Sequence, residues 1–301
     1  MKNIINTNML MPFVFIGLVV ALYACTGGNA QNRTPSDEHF NHEWAKDAAW
    51  DQGKAEIAKY EATRTIYGKP RSFEYVFVLV KETFNREYNV KTDDYSRNDL
   101  FEVMKVNKFA RIPTDNYPYH FMTSIFYQRD QPATAYKLTN SSQEWCGNTS
   151  KYFIADGEQY TFGYNSYWDG QGVGETTING GFMFEDQLSY SLRALNFAEG
   201  LSFQQGVAES QISSKAKNPA IYQATFLVEK DERLQLSTQY DSSKDGDIWK
   251  VTVQLDNNKT NQYWFTGEYP NVLLKQATWD NRNYELKDRY MDDYWVIKGS
   301  S

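Results

Sequence analysis

The chain has no surplus of basic charge. Its 301 residues carry a formal net charge of −7. A nucleic-acid binder needs a cationic surface to displace counterions, so that class is excluded. Cysteine is nearly absent: Cys25 and Cys146 are the only two, too few for a disulfide framework. Histidine is scarce as well, with His39, His42 and His120 alone. No Arg-Arg pair occurs, and no Gly-rich turn stands between a strand and a helix to cradle a phosphate. No cofactor motif is found, so none is expected. Long apolar runs are missing except at residues 9–24, MLMPFVFIGLVVALYA, which falls short of the roughly 20 residues of a membrane span.

That single run has the length of a secretory signal core. Lys2 is the only charge before it, and it ends in Leu22-Tyr23-Ala24-Cys25. An aliphatic residue three before a cysteine and a small one directly before it resemble a bacterial lipobox. The resemblance implies cleavage between Ala24 and Cys25, and acyl chains on Cys25 that hold the protein in a membrane; more than one chain gives stable anchoring. Thr26, rather than an acid, follows the cysteine, which points to the outer membrane by enterobacterial sorting logic. Lipidation of Cys25 would leave Cys146 without a partner thiol. The expected organisation is a signal peptide over 1–24, a flexible tether over 25–45, polar and with Gly and Pro, and a single β domain over 46–301.

What is plentiful is aromatic. Tyr, Phe and Trp number 22, 18 and 8, and these residues suit half-buried pleated surfaces. Period-two runs at 53–67, 72–84, 101–109, 119–128, 134–140, 151–155 and 159–167 read as strands. So do 221–229, 234–240, 248–255, 261–268, 271–279 and 284–296, many separated by Asp, Asn, Gly or Pro turns. The Gly-rich stretch 169–181 reads as a long loop or a broken strand pair. Residues 184–198 read as one amphipathic helix, with Phe184, Leu188, Leu192 and Leu195 on its stripe. The fold class is therefore mainly β: a strongly curved antiparallel sheet or open barrel with one inserted α-helix. The last segments look like the closing strands of periplasmic lipid carriers, in which a helix lids an apolar cavity.

The runs Trp50-Asp51-Gln52-Gly53-Lys54-Ala55-Glu56, Tyr117-Pro118-Tyr119 and Ser142-Gln143-Glu144-Trp145-Cys146-Gly147 resemble, in order and spacing, an uncharacterised envelope lipoprotein family of Bacteroidota. Some of its members carry the label of a septum-formation inhibitor, a name that belongs to a nucleotide pyrophosphatase family. That enzyme family has a Ser-x-Arg-Arg element, which this sequence lacks. The resemblance implies an envelope location and no particular activity.

Candidate chemistry is thin. Glu144, Trp145 and Cys146 are a possible pocket, and Cys146 with His120 is a possible thiol nucleophile and base. A lone cysteine next to a tryptophan is more simply a buried, inert hydrophobe, and that is the expectation here. His39, His42 and Glu43 have metal-ligand spacing but fall in the expected tether, so no metal is expected. Asp241 to Asp247 carries spaced acids, better read as a hairpin turn than as a calcium loop. Asp288, Asp292 and Asp293 read as a charged sheet edge. The expected function is non-enzymatic binding of an apolar ligand or lipid in the cell envelope. The alternatives are an assembly lipoprotein docking an envelope protein, and a hydrolase using Cys146.

Overall fold

The computed structural model describes residues 37–241 and 246–296. Ala24, Cys25 and the expected signal peptide lie outside these residues, as does most of the acidic loop between Asp241 and Asp247. The described chain is dominated by one sheet of sixteen strands. In chain order they are β1 Ala55–Ile66, β2 Lys69–Asn85, β3 Val90–Lys91, β4 Leu100–Ile112, β5 Tyr119–Gln128, β6 Lys137–Glu144, β7 Gly147–Asp156, β8 Gln159–Ser166, β9 Val173–Asn179 and β10 Phe182–Phe184. After the short helix α1, Leu188–Ser191, come β11 Ser202–Ala208, β12 Ile221–Lys230, β13 Ile248–Asp256, β14 Lys259–Thr266, β15 Leu273–Ala277 and β16 Asn283–Asp292.

Every pairing is antiparallel except β10 with β11. The pairing of β1 with β16 joins the two ends of the domain. The path runs from β10 through β16 to β1 and on to β9. The sheet is thus open, and its terminal strands β9 and β10 are consecutive in the chain, linked only by Gly180 and Gly181. Because β16 lies between β15 and β1, Asp288 is not on a sheet edge as expected from the sequence; pairing of first and last strands moved the edges to β9 and β10.

Alternation sets the inner face. Ala58, Tyr60 and Ala62 of β1, Met104 and Val106 of β4, and Ile125 and Tyr127 of β5 are buried, with Tyr127 and Ile125 fully so. Period two puts them all on the concave side of the curled sheet. Phe153 and Phe162 stack at 4.5 Å on neighbouring strands, the cross-strand contact that holds a sheet face together.

The inserted helix is shorter than the sequence suggests and differently placed. Residues 182–184 form β10, 188–191 one α turn, and 3-10 turns flank it at 185–187 and 192–194. Every residue from 182 to 195 is buried. The segment is therefore a plug inside the curl, rather than an amphipathic helix with a wet face. Half of it is polar, which is tolerable because most of the polar groups find partners, the Tyr190 hydroxyl excepted among the described residues. Gln187 donates to the Ala133 carbonyl at 2.8 Å and accepts from the Phe184 amide at 2.9 Å. Arg193 is bidentate to Glu56 at 2.7 and 3.0 Å, and Arg289 reaches the same carboxylate.

The tether also ends earlier than expected. Phe40, Trp44 and Ala45 are buried. Trp44 packs against Trp50 and Tyr190, each 5.3 Å away, and Phe40 bridges Leu195. Polar composition concealed this, since three apolar residues suffice to dock the segment. Residues 234–240 are not a strand either. They are a loop whose Ser237 binds Glu285 and whose Thr238 binds the Leu286 carbonyl.

Candidate functional site

Antiparallel register sends the β1–β2, β4–β5, β6–β7, β8–β9 and β15–β16 turns, and the connection 209–220 between β11 and β12, to one end of the curl. This end is the mouth. Across it runs a polar belt on the inner face. Lys108, Thr123, Asn140 and Lys151 stand opposite one another in register on β4 to β7. Asn140 donates to Thr123 at 2.8 Å. On the far side of the belt from the mouth lie Ile125, Tyr127, Leu138 and Phe153, all fully buried.

The belt's two lysines are buried without a carboxylate in ion-pair contact among the described residues. Lys108 donates to the Asp186 carbonyl and to Ser189 on the plug. Lys151 donates to three carbonyls, those of Gln211, Ser213 and Lys215, at 2.6, 3.1 and 3.0 Å. Burial pushes each ammonium down to about 8, so both remain charged near neutral pH. Lys151 thereby pins the strap 210–216 over the mouth. Arg64 pins it again through the Ile212 carbonyl at 2.7 Å. Asp186 accepts from Ser210 and from the Gln211 amide, each at 2.6 Å.

Beneath the strap lies a cavity of about 230 Å³, lined by Arg64, Lys151, Glu209, Lys217, Asp280 and Arg282 among others. A smaller recess of about 30 Å³ continues inward past Arg64 and Arg282 to Lys108 and Tyr284. The larger space exceeds the roughly 150 Å³ known to hold a benzene molecule in an engineered cavity.

The residues singled out in the sequence fall elsewhere. Glu144, Trp145 and Cys146 are at the tip of the β6–β7 hairpin, on the outer rim of the mouth. Cys146 is exposed rather than buried, and Trp145 is 79% exposed. The tight two-residue turn leaves both side chains outside the curl, which a local sequence reading does not reveal. Trp145 stacks on Tyr117 at 5.5 Å, and the Tyr117 hydroxyl meets Cys146 Sγ at 3.3 Å. That contact pushes the Tyr117 phenol up to about 12. Tyr67 and Tyr119 join hydroxyls beside it. Gly147, next in the chain, lets the Tyr167 ring approach, since a Cβ there would come within 2.4 Å of it.

His120 faces outward on β5, in register with Arg111 and Gln143. Cys146 meets Tyr117 rather than this histidine. His39 stacks on Phe203 at 4.5 Å, whereas His42 turns to the Asp130 carbonyl at 2.7 Å. Exposure of Cys146 gives an expected result: folded protein carrying Cys25→Ser labels with a maleimide at Cys146 as fast as an unstructured cysteine peptide does. Labelling that requires denaturant contradicts the rim geometry.

The site residues that the sequence reading passed over are Arg64, Lys108, Lys151 and Arg282. A signal existed. Arg64 shares the parity of Ala58, Tyr60 and Ala62, and Lys108 that of Met104 and Val106. A charged residue on the inward parity of a core strand needs a partner or a purpose.

No family model matches the chain, and comparison with curated proteins gives no significant match. Among solved structures, a β-barrel-like protein of a domain of unknown function, DUF1849, from Brucella abortus is similar. It is 10% identical with a TM-score of 0.46, covering 79% of this chain and 97% of its own. A DUF1089 family protein from Pseudomonas aeruginosa is 11% identical with a TM-score of 0.34, covering 64% of this chain and 87% of its own.

Proposed function

We propose that the protein is a non-enzymatic lipoprotein of the cell envelope, anchored in the outer membrane through acyl chains on Cys25, that holds a small ligand in the strapped mouth of its open barrel. The observation that carries the reading is the 230 Å³ cavity under the strap 210–216. Ligand sites are concave, largely preformed and set in the mouths of barrels. The ligand is polar rather than the apolar ligand or lipid expected from the sequence, because the buried segment 182–195 fills the curl. A second reading, docking of an envelope protein, draws on the exposed rim residues Tyr67, Trp145, Tyr167 and Val173.

Two measurements on full-length protein extracted in mild detergent test the proposal. A Cys25→Ser variant carries no acyl mass and keeps residues 1–24 uncleaved; partition into the detergent phase that persists once those residues are removed overturns the anchoring. A native mass spectrum of wild type shows a bound small molecule that Ser213→Trp, which fills the cavity, no longer carries. Absence of any bound mass, or its retention in Ser213→Trp, overturns the ligand reading.

A further inference from the structure

Resting on the mouth-cavity reading, the charge of the lining identifies the ligand class. Five cations line the cavity, namely Arg64, Lys151, Lys215, Lys217 and Arg282, against the three carboxylates of Glu185, Glu209 and Asp280. The surplus is positive in a chain whose formal net charge is −7. The carboxylates are already taken. Glu209 pairs with Lys217 at 2.9 Å, and Glu185 and Asp280 both pair with Arg282 at 2.5 and 2.7 Å. Arg64, Lys151 and Lys215 are left without a carboxylate among the described residues.

Arg64 differs from the other two. Lys151 spends all three of its donors on strap carbonyls, and Lys215 is exposed beside the Trp168 ring. Arg64 makes one hydrogen bond, from Nη2 to the Ile212 carbonyl, and rests its guanidinium 5.0 Å over the Phe121 ring. Its remaining N–H donors have no acceptor among the described residues. The residue lines both the cavity and the recess, with Arg282 lining both as well. Below them the Lys108 ammonium spends two of its three donors on the plug. Burial and the neighbouring Arg282 work against the charge on Arg64, while Tyr75, Asp280 and Asp186 favour it. Arg64 is half-buried and its unpaired N–H groups are not sealed from solvent, so they are open to the cavity and available to an anion. A guanidinium fork also matches the paired oxygens of a carboxylate or phosphate.

We propose that the mouth cavity is an anion site: it binds a small organic molecule through a carboxylate or phosphate group seated on Arg64, with Lys151 and Lys215 supplying the surrounding positive field. The test is calorimetric titration of the full-length chain in neutral detergent, freed of carried ligand by exhaustive dialysis. Glucose 6-phosphate and glucuronate are the free anionic probes, glucose the neutral one, and mixed micelles of phosphatidylglycerol the headgroup probe. Binding of a free anion or of phosphatidylglycerol, with no heat from glucose, is expected, and the binding arm names the source. Arg64→Gln weakens that binding at least tenfold, the loss of about 1.4 kcal/mol. Arg64→Lys restores part of it, and Trp145→Ala on the rim leaves it unchanged. Glucose binding as well as its phosphate, silence of every anionic probe, or Arg64→Gln binding like wild type in a sample with an unchanged unfolding transition overturns the anion site. A neutral molecule found in the native mass spectrum overturns it as well, while leaving the cavity as a ligand site.

Discussion

Glu56→Ala lowers the unfolding free energy by about 3–5 kcal/mol, the usual consequence of stripping one partner from a buried ion pair. Glu56 sits on β1 at 3% exposure between Arg193 of the plug and Arg289 of β16. Its removal leaves the Arg193 guanidinium buried with only the carbonyls of Pro270 and Asn271 to bind. A typical domain has about 5–15 kcal/mol of stability in all, so the variant is severely weakened. Burial opposes ionisation of the Glu56 carboxyl, yet the two guanidinium groups outweigh it and hold the group at about 2, down from 4.5. The contribution is therefore fully present above pH 4.5 and is lost as the pH falls towards 2. A change of this size corresponds to about 3 kcal/mol, in line with the range for the alanine variant. Urea unfolding of wild type and Glu56→Ala at several pH values checks both statements: the gap between them closes on acidification. A gap that stays constant from neutral pH to pH 3 and below contradicts the ion-pair account.

Leu192→Ala costs about 2–5 kcal/mol, with or without ligand. Leu192 is fully buried at the centre of the plug, next to fully buried Ser191 and Ala194. The truncation leaves a void inside the curl rather than a looser lid. If the segment were a lid over a ligand, the loss would be small and would vary with ligand concentration, because a ligand that binds only the native state stabilises by mass action. Thermal unfolding with and without the ligand found in the native spectrum decides between them. A loss below 1 kcal/mol, or one that ligand abolishes, removes the plug.

Strand alternation was legible because it is local. Tyr119 to Gln128 shows the period directly, and the observed β5 has the bounds read from sequence. Pairing order was not legible, since nothing near Asp288 indicates that β1 will be its neighbour. The plug was half legible. Its leucines gave a helical stripe, but the burial of Asp186, Gln187, Ser191 and Arg193 depends on partners distant in sequence, such as Lys108, Ala133 and Glu56. The strand β11 was passed over because Ser202-Phe203-Gln204-Gln205-Gly206 carries few apolar residues, and burial of Gln205 is permitted by the Gly181 carbonyl. Chemistry-bearing residue types drew the sequence reading to Cys146 and His120. The positions with unmet electrostatic demand were charged residues on inward parity, which only strand register brings together.

The most direct test of the central claim is a crystal structure of the protein purified from its native cells without added ligand. The account predicts electron density for a bound molecule under residues 210–216, with an anionic group against Arg64 and close-packed side chains around Leu192. Density for a ligand among Tyr127, Phe153 and Leu192, with only water beside Arg64, contradicts it.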